Sequence, residues 1–158
     1  MAHKFPPKSG EKLIAANKKA SFRYFFLEKY EAGMALVGSE VKSLRDGKVN
    51  LGDAYVVDHN GELTLINCHI SLYPPASQLN HPPLRSRKLL LHHDEIERLL
   101  GKMREKGLAL IPTKLYFKKG RVKCEIALAK GKKLHDQRNE LRKKEHQREM
   151  ERAIKQSK

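Results

Sequence analysis

The amino-acid sequence predicts a mainly β protein: a closed, antiparallel, OB-like β-barrel with small flanking helices and a basic C-terminal tail. Three observations predict it. Apolar and polar residues alternate over several short segments, glycine-containing turns separate those segments, and one segment has helical periodicity. The 158 residues are enough for one domain with a single core.

The first 20 residues are basic and contain few large apolar side chains. They hold five Lys against one Glu, with Pro6, Pro7 and Gly10 among them. Such a composition cannot bury enough apolar surface to offset the entropy of ordering the chain. The sequence therefore predicts a flexible basic arm over residues 1–20 and a barrel over residues 21–130.

Residues 22–36 are rich in aromatic side chains and predict the first strands of the barrel. Glu31-Ala32-Gly33 interrupts this segment, and a glycine there is typical of a turn or a bulge between two extended pieces. We therefore expect a corner of the barrel at residues 31–33.

A short helix and a hairpin are predicted next. Gly38 or Ser39 can cap a helix that runs through Leu44 and ends at Asp46-Gly47. Alternation then predicts strands over residues 54–57 and 62–70, joined by the loop Asp58-His59-Asn60-Gly61.

Residues 73–84 hold four prolines, which lack amide donors, and they predict a long surface loop. The clearest helix follows over residues 94–106. Its apolar residues recur at the spacing of one helix face, Asp94 is the expected N-cap, and Gly107 follows its end.

A second hairpin is predicted from residues 108–117 and 121–129, with Pro112 indicating an edge or bulge position in the first strand. From residue 131 the chain becomes charged and polar, with only a broken apolar stripe. We expect this basic tail, residues 131–158, to be disordered when free and to become helical on its partner.

The charge balance indicates a polyanionic partner. There are 33 Lys and Arg against 18 Asp and Glu, which gives a net charge of +15. The alternative is that basic ends merely keep mobile segments soluble. Cys68 and Cys124 lack the spacing of a zinc or disulfide framework and indicate buried thiols in a reduced cytosol.

The sequence has no signal-peptide pattern and no apolar run of membrane-spanning length. We expect a soluble, cytoplasmic protein without a cofactor or a metal.

Four blocks of the sequence are distinctive: YEAGMAL (30–36), GSEVKSLRDGKVNLGDAYV (38–56), SRKLLLH (86–92) and ALAKGKKLHDQR (127–138). In their residues, their order and the lengths that connect them, these blocks resemble the small protein B family, the tmRNA-binding proteins of bacteria. The resemblance covers about residues 17–138.

The resemblance implies a monomeric OB-like barrel that clamps the tRNA-like domain of tmRNA. It implies delivery of tmRNA to ribosomes stalled on broken messages, with the tail placed in the empty mRNA channel at the decoding centre. Binding and positioning are the whole of this activity, so the resemblance implies no catalytic residue and no membrane partner.

The resemblance implies RNA contacts at Glu31, Leu90 and His92, although His92 stands where relatives commonly have Asn. A carboxylate near phosphates is favourable only if it accepts hydrogen bonds, so Glu31 is expected to orient an exposed base. Strand alternation can point Leu90 outward to support a base, or all three leucines 89–91 can belong to the core.

Five basic residues that flank these blocks are expected to contact backbone phosphates without reading sequence: Arg45, Lys48, Arg85, Arg87 and Lys88. Each can also be an ordinary solvated charge.

The tail motif of the family matches Lys132, Lys133, His135, Asp136 and Arg138, with Gln137 in place of the usual Lys. His135, Arg138 and Arg142 share one face if the tail becomes helical. There the imidazole can stack on a base and the guanidinium groups can meet phosphates. The alternative is a generic basic tail.

Two other functions compete with this interpretation. A metal-dependent nuclease could use His92-His93-Asp94, or His59 with His69, but neither set has a recognised ligand spacing. A general OB-type RNA-binding protein should carry aromatic stacking platforms, and aromatic residues are only 6% of the chain.

Overall fold

The computed structural model describes residues 10–157, without the side chains of residues 105 and 106. The described chain contains four α-helices: α1 Lys18–Arg23, α2 Gly38–Arg45, α3 His93–Lys106 and α4 Leu134–Gln156. Its nine strands are β1 Glu11–Ala16, β2 Tyr24–Met34, β3 Val49–Asn50, β4 Tyr55–His59, β5 Glu62–Ile66, β6 His69–Ile70, β7 Arg87–Leu90, β8 Ala109–Lys118 and β9 Arg121–Gly131.

Seven of the strands form one sheet in the order β1-β8-β4-β5-β7-β2-β9, and β9 also pairs with β8. Strands β3 and β6 form a separate two-stranded sheet. Every pairing among the described strands is antiparallel. The prediction of a mainly antiparallel β fold with small helices is confirmed.

Strand β1 shows that the predicted flexible arm was wrong for residues 11–20; residues 1–9 lie outside the described part of the chain. Strand β1 pairs with β8 from Glu11–Lys118 to Ala16–Lys114. At its end the buried Asn17 donates from Nδ2 to the carbonyl oxygens of Leu51 at 3.1 Å and Pro112 at 3.0 Å. These long-range bonds fix a segment whose composition alone did not indicate order.

Strand β2 is continuous through Glu31-Ala32-Gly33, so the corner predicted at residues 31–33 was wrong. The register shift in β2 lies instead between Phe26 and Glu28. Gly33 instead allows β7 to approach β2 closely, because a Cβ added there would lie 3.3 Å from the Cβ of Leu90 on β7. The glycine indicated tight packing between two strands, which composition cannot distinguish from a turn.

The helices predicted through Leu44 and over residues 94–106 are present with different caps, and the loop predicted over residues 58–61 is shorter, because Asp58 and His59 belong to β4. Asn60 and Gly61 have positive φ values of 52° and 83° and join β4 to β5. Helix α2 begins after Val37 rather than after Gly38 or Ser39, and α3 begins after His92 rather than Asp94.

The second hairpin, β8 with β9, was predicted correctly, and the ladder shifts between Pro112 and Lys114 as expected of a bulge. The proline-rich residues 73–84 contain short 3-10 turns over Pro74–Leu79. Within the same loop His81 is buried, and its ring nitrogens contact Ser39 Oγ at 2.8 Å and the carbonyl oxygen of Ile70 at 3.0 Å.

The core lies on the inner face of the seven-stranded sheet, and α2 and α3 contribute one fully buried leucine each, Leu44 and Leu99. Cys68 and Cys124 are buried there as free thiols, as predicted. Burial raises the pKa of Cys68 to about 11.

The basic tail forms α4, whereas we predicted disorder in the free chain. Asp136 accepts a hydrogen bond from the Lys133 amide at 3.3 Å and so caps the first turn. Lys144 and Glu140 form an ion pair at i, i+4 spacing with an N–O distance of 3.6 Å. No residue of α4 is buried, and from residue 145 to 157 every residue is exposed.

Candidate nucleic-acid interface

Strand alternation on β7 places Leu90 on the outside of the sheet. Leu89 is buried, whereas Leu90 is 50% exposed and pairs with Gly33 of β2. The alternative that residues 89–91 are all core leucines is therefore wrong for Leu90. Because Gly33 has no side chain, Leu90 packs closely on β2, two residues along that strand from Glu31.

Glu31 projects from the same outer side, because Ala32 beside it is fully buried. The Tyr116 hydroxyl donates to Glu31 Oε2, and Lys118 Nζ lies 3.3 Å from Oε1 and 3.2 Å from Oε2. The Tyr116 hydrogen bond, and after it the Lys118 ammonium, lower the pKa of Glu31. The carboxylate therefore stays ionised and can only accept hydrogen bonds.

We use the name outer face for five residues on the outside of β2, β7, β8 and β9: Glu31, Leu90, Tyr116, Lys118 and Lys123. Register brings them together, because Gly33 pairs with Leu90 on one side and with Lys123 on the other, and Lys123 pairs with Tyr116. The outer face thus joins one exposed apolar side chain to one fixed carboxylate with cationic neighbours.

His92 follows β7 and is exposed at the start of α3. Its carbonyl oxygen accepts the amide of Ile96 at 3.1 Å, so its backbone caps the helix. His92 is thus an exposed residue only two positions after Leu90.

Arg87 does not contact solvent, which corrects its prediction as a phosphate-binding residue. Its side chain is 0% exposed. It donates to Glu40, to the carbonyl oxygen of Cys68 at 2.6 Å and to that of Pro83 at 3.2 Å. Alternation in β7 turns Arg87 inward with Leu89, where a guanidinium is stable only with such partners.

Glu40 is the acceptor at the centre of this buried network and also accepts from Arg85 Nη2 at 2.5 Å and from the Val37 amide at 3.0 Å. Burial alone would raise its pKa, but the hydrogen bonds from Arg85, Val37 and Arg87 together lower it. Glu40 therefore remains charged inside the protein.

The other predicted phosphate contacts differ in accessibility. Arg85 is one-third exposed and is held by Glu40 and the carbonyl oxygen of Ala35. Lys88 is exposed and pairs with Glu62 at 2.8 Å. Arg45 and Lys48 are exposed at the C-terminal end of α2, where they are open to a ligand.

Lys132 is not the free tail cation that we predicted. Its side chain is 10% exposed, and its ammonium donates to the Ser21 carbonyl oxygen at 2.9 Å and to Glu140 at 2.5 Å. It also lies over the Phe25 ring, 5.0 Å from the centroid. Lys132 therefore attaches the start of the tail to α1 and β2.

The remaining tail residues are placed as the helical spacing predicted. His135, Arg138 and Arg142 are exposed at i, i+3 and i+7 of α4 and so share one side of the helix. Lys133 is exposed at its N-cap, and Asp136 serves the cap. These residues therefore lie together at the start of α4. The basic ones among them are exposed to solvent, whereas Lys132 is nearly buried.

Sequence reasoning missed Tyr116 and Lys118 beside Glu31 and missed Glu40 as the partner of Arg87. Tyr116 and Glu31 are 85 positions apart, so no local pattern connects them. The alternation that placed Leu90 outward did contain a signal for Arg87, because residues three apart on a strand face opposite sides.

Within residues 10–157, no group of three or more His, Cys, Asp or Glu side chains is arranged to hold a metal ion. No helix of that range combines the length and the apolar character needed to cross a bilayer.

The chain is similar in sequence to known proteins. A family model described as SmpB protein matches residues 14–156. An SsrA-binding protein of Desulforudis audaxviator is 57% identical over 143 residues, which cover 90% of this chain and 94% of that protein. One from Geobacter sulfurreducens is 54% identical over 145 residues, which cover 92% of this chain and 95% of that protein.

A solved structure presented as "tmRNA-SmpB: a journey to the center of the bacterial ribosome" is also similar. It has a TM-score of 0.64 and 49% sequence identity, and the match covers 76% of this chain and 85% of that chain. Fold and sequence therefore point to the same relatives.

Proposed function

This chain belongs to the SmpB protein family, and we propose on that premise that it is an RNA-binding adaptor for trans-translation. In this role it binds the tRNA-like domain of tmRNA and delivers it to stalled ribosomes, so that incomplete proteins are tagged. The net charge of +15 supports a polyanionic partner.

The observation that carries this proposal is that the exposed Leu90 and the fixed carboxylate of Glu31 lie on the same outer face. An exposed apolar side chain supports an unstacked base, and an ionised carboxylate accepts hydrogen bonds from base edges. His92, close by in sequence, adds a ring that can stack. We therefore place base recognition at these three residues.

Phosphate contacts are assigned to the predicted basic residues that are accessible. Arg45, Lys48 and Lys88 are exposed, and Arg85 has one-third of its side chain available. Such contacts position an RNA and add salt-dependent affinity without reading its sequence. Arg87 has no part in this set because it is buried.

We propose that α4 binds the ribosome at the decoding centre and enters the empty mRNA channel. Lys133, Arg138 and Arg142 would meet ribosomal phosphates, and His135 would stack on a base. Asp136 would keep the helix capped.

We also propose that the sheet closes into an OB-like barrel over residues 11–131, with 132–158 as the tail. The support is that β9 pairs with both β2 and β8, so the strand order returns to a strand already in the sheet. In this proposal the protein acts as a cytoplasmic monomer, without a cofactor and without catalysis.

The test is a salt titration of binding to tmRNA, ordinary tRNA and a charge-matched unstructured RNA. A shape-specific adaptor keeps its preference for tmRNA as counterion-release affinity falls with salt. Equal affinities for the three RNAs at physiological salt contradict the proposal and favour a general OB-type binder. Cleavage of any of them on addition of a divalent metal favours a nuclease.

A further inference from the structure

The Tyr116 hydroxyl is a buried polar group whose hydrogen bond reaches a proposed RNA-contacting residue. Tyr116 is only 5% exposed, and Lys114 Nζ lies over its ring, 5.2 Å from the centroid. The ring therefore has a fixed position in β8, and its hydroxyl presents a fixed donor to the Glu31 carboxylate.

Glu31 needs such a donor because its own side chain has several rotatable bonds and partial exposure. Its side chain is 36% exposed, and Lys118 approaches it at 3.2 Å with a side chain that is 39% exposed. An exposed ammonium on a flexible stem gives weak orientation. The buried Tyr116 ring does not have the mobility of the exposed Lys118 side chain. The Tyr116 hydroxyl therefore determines the orientation of the Glu31 carboxylate.

The contacts leave part of the carboxylate available. Among the described residues, Oε2 accepts from Tyr116 and Lys118, and Oε1 accepts from Lys118 at 3.3 Å. A carboxylate has about four acceptor positions, so sites remain on the exposed side for donors from an RNA base. Glu125 is paired directly opposite Glu31 on β9, Lys123 is paired opposite Gly33, and Glu11 of β1 is paired opposite Lys118, so both signs of charge surround the carboxylate.

We propose that Tyr116 is a positioning residue for RNA recognition, which fixes the Glu31 carboxylate in the orientation that accepts hydrogen bonds from an exposed base. This inference rests on the proposed function. Tyr116 itself does not touch the RNA, and its effect on binding passes through Glu31.

A double-mutant cycle on tmRNA binding tests this. Tyr116→Phe keeps the ring and removes the donor, and we expect binding to weaken by about tenfold to a hundredfold, the range of one hydrogen bond to a charged group. In a Glu31→Ala background, where no acceptor for the Tyr116 hydroxyl remains at position 31, the same change should have no further effect. An equal loss in both backgrounds shows a general structural role and overturns the proposal.

Tyr30→Phe is the matched control, because the Tyr30 hydroxyl donates to another carboxylate, Glu28, at 2.6 Å. It should leave tmRNA binding unchanged in both backgrounds. An equal loss on Tyr30→Phe shows that the effect is not specific to Glu31 and overturns the proposal.

An NMR titration of the Glu31 carboxyl in the free protein gives a second readout that needs no RNA. Loss of the Tyr116 hydroxyl should raise the pKa of Glu31. An unchanged pKa overturns the inference. If the wild-type protein shows no preference for tmRNA while this shift is seen, the proposed function fails and the contact between Tyr116 and Glu31 stands.

Discussion

Replacing Glu40 by Ala should destabilise the protein strongly, because the change leaves the guanidinium of Arg87 buried without a counter-ion. The side chains of Arg87 and Glu40 are both 0% exposed, and the partners that Arg87 keeps among the described residues after the substitution are the carbonyl oxygens of Cys68 and Pro83. Removing one partner of a buried ion pair costs about 3–5 kcal/mol. A domain has a total stability of about 5–15 kcal/mol, so this loss is a large part of it.

The assay is urea unfolding at pH 7, followed by far-ultraviolet circular dichroism. With a slope of about 2 kcal/mol per molar urea, a loss of about 4 kcal/mol lowers the midpoint by about 2 M. Glu62→Ala is the matched control, since its partner Lys88 and Glu62 itself are both about half exposed. Exposed pairs contribute at most about 1 kcal/mol, so this midpoint should fall by less than about 0.5 M. Equal shifts for the two variants would refute the structural role assigned to Glu40 and Arg87.

Three further outcomes are expected. Leu90→Asp should weaken tmRNA binding and leave the urea midpoint nearly unchanged, whereas Leu89→Asp should abolish folding; a folding loss in Leu90→Asp would contradict the exposed position of that leucine. Deletion of residues 132–158 should lower the melting temperature of the remaining domain only slightly, because it removes the contacts of Lys132 with Ser21 and Phe25 but no buried residue of α4, and it should abolish tagging of stalled chains while tmRNA binding persists. Normal tagging by that truncated protein would contradict the role proposed for the tail. Finally, the folded-state pKa of Glu40 lies below its ordinary value of 4.5, so its contribution to stability is present above that pH and is lost as the pH falls through the folded pKa. The midpoint difference between wild type and Glu40→Gln should therefore narrow in titrations below pH 4.5, and a difference that stays constant would show that Glu40 does not titrate in this way.

Local signals in the sequence were sufficient for the connection between β4 and β5 and for α3. The loop predicted over residues 58–61 joins two strands in the structure, and its turn is Asn60-Gly61, where both residues tolerate positive φ. The apolar spacing and Gly107 define α3, whose C-cap has a φ of 58°. These features depend on neighbours in sequence, which is the information that a single chain provides.

Features that depend on distant partners could not be predicted. The order of residues 11–16 comes from pairing with β8, about a hundred positions away. Strand alternation indicates that Arg87 faces inward, but its ion-pair partner Glu40 is 47 positions away and no local pattern identifies it. The residues of the candidate site were therefore predicted in part: Glu31 and Leu90 lie on one face, whereas Arg87 and Lys132 have structural contacts that sequence reasoning did not indicate.

The burial of the two cysteines has a practical consequence for chemical labelling. Thiolates, not thiols, react with maleimides, and Cys68 has a pKa of about 11 while burial also raises the pKa of Cys124. At pH 7 the thiolate fraction of Cys68 is on the order of one in ten thousand, and the sulfur is also shielded from reagents. A cysteine introduced at an exposed position of α4, such as Glu149, will react far faster than either native thiol. A dye or spin label can therefore be attached to the tail of the otherwise unaltered protein, and the movement of α4 on a ribosome can be followed without removing Cys68 or Cys124.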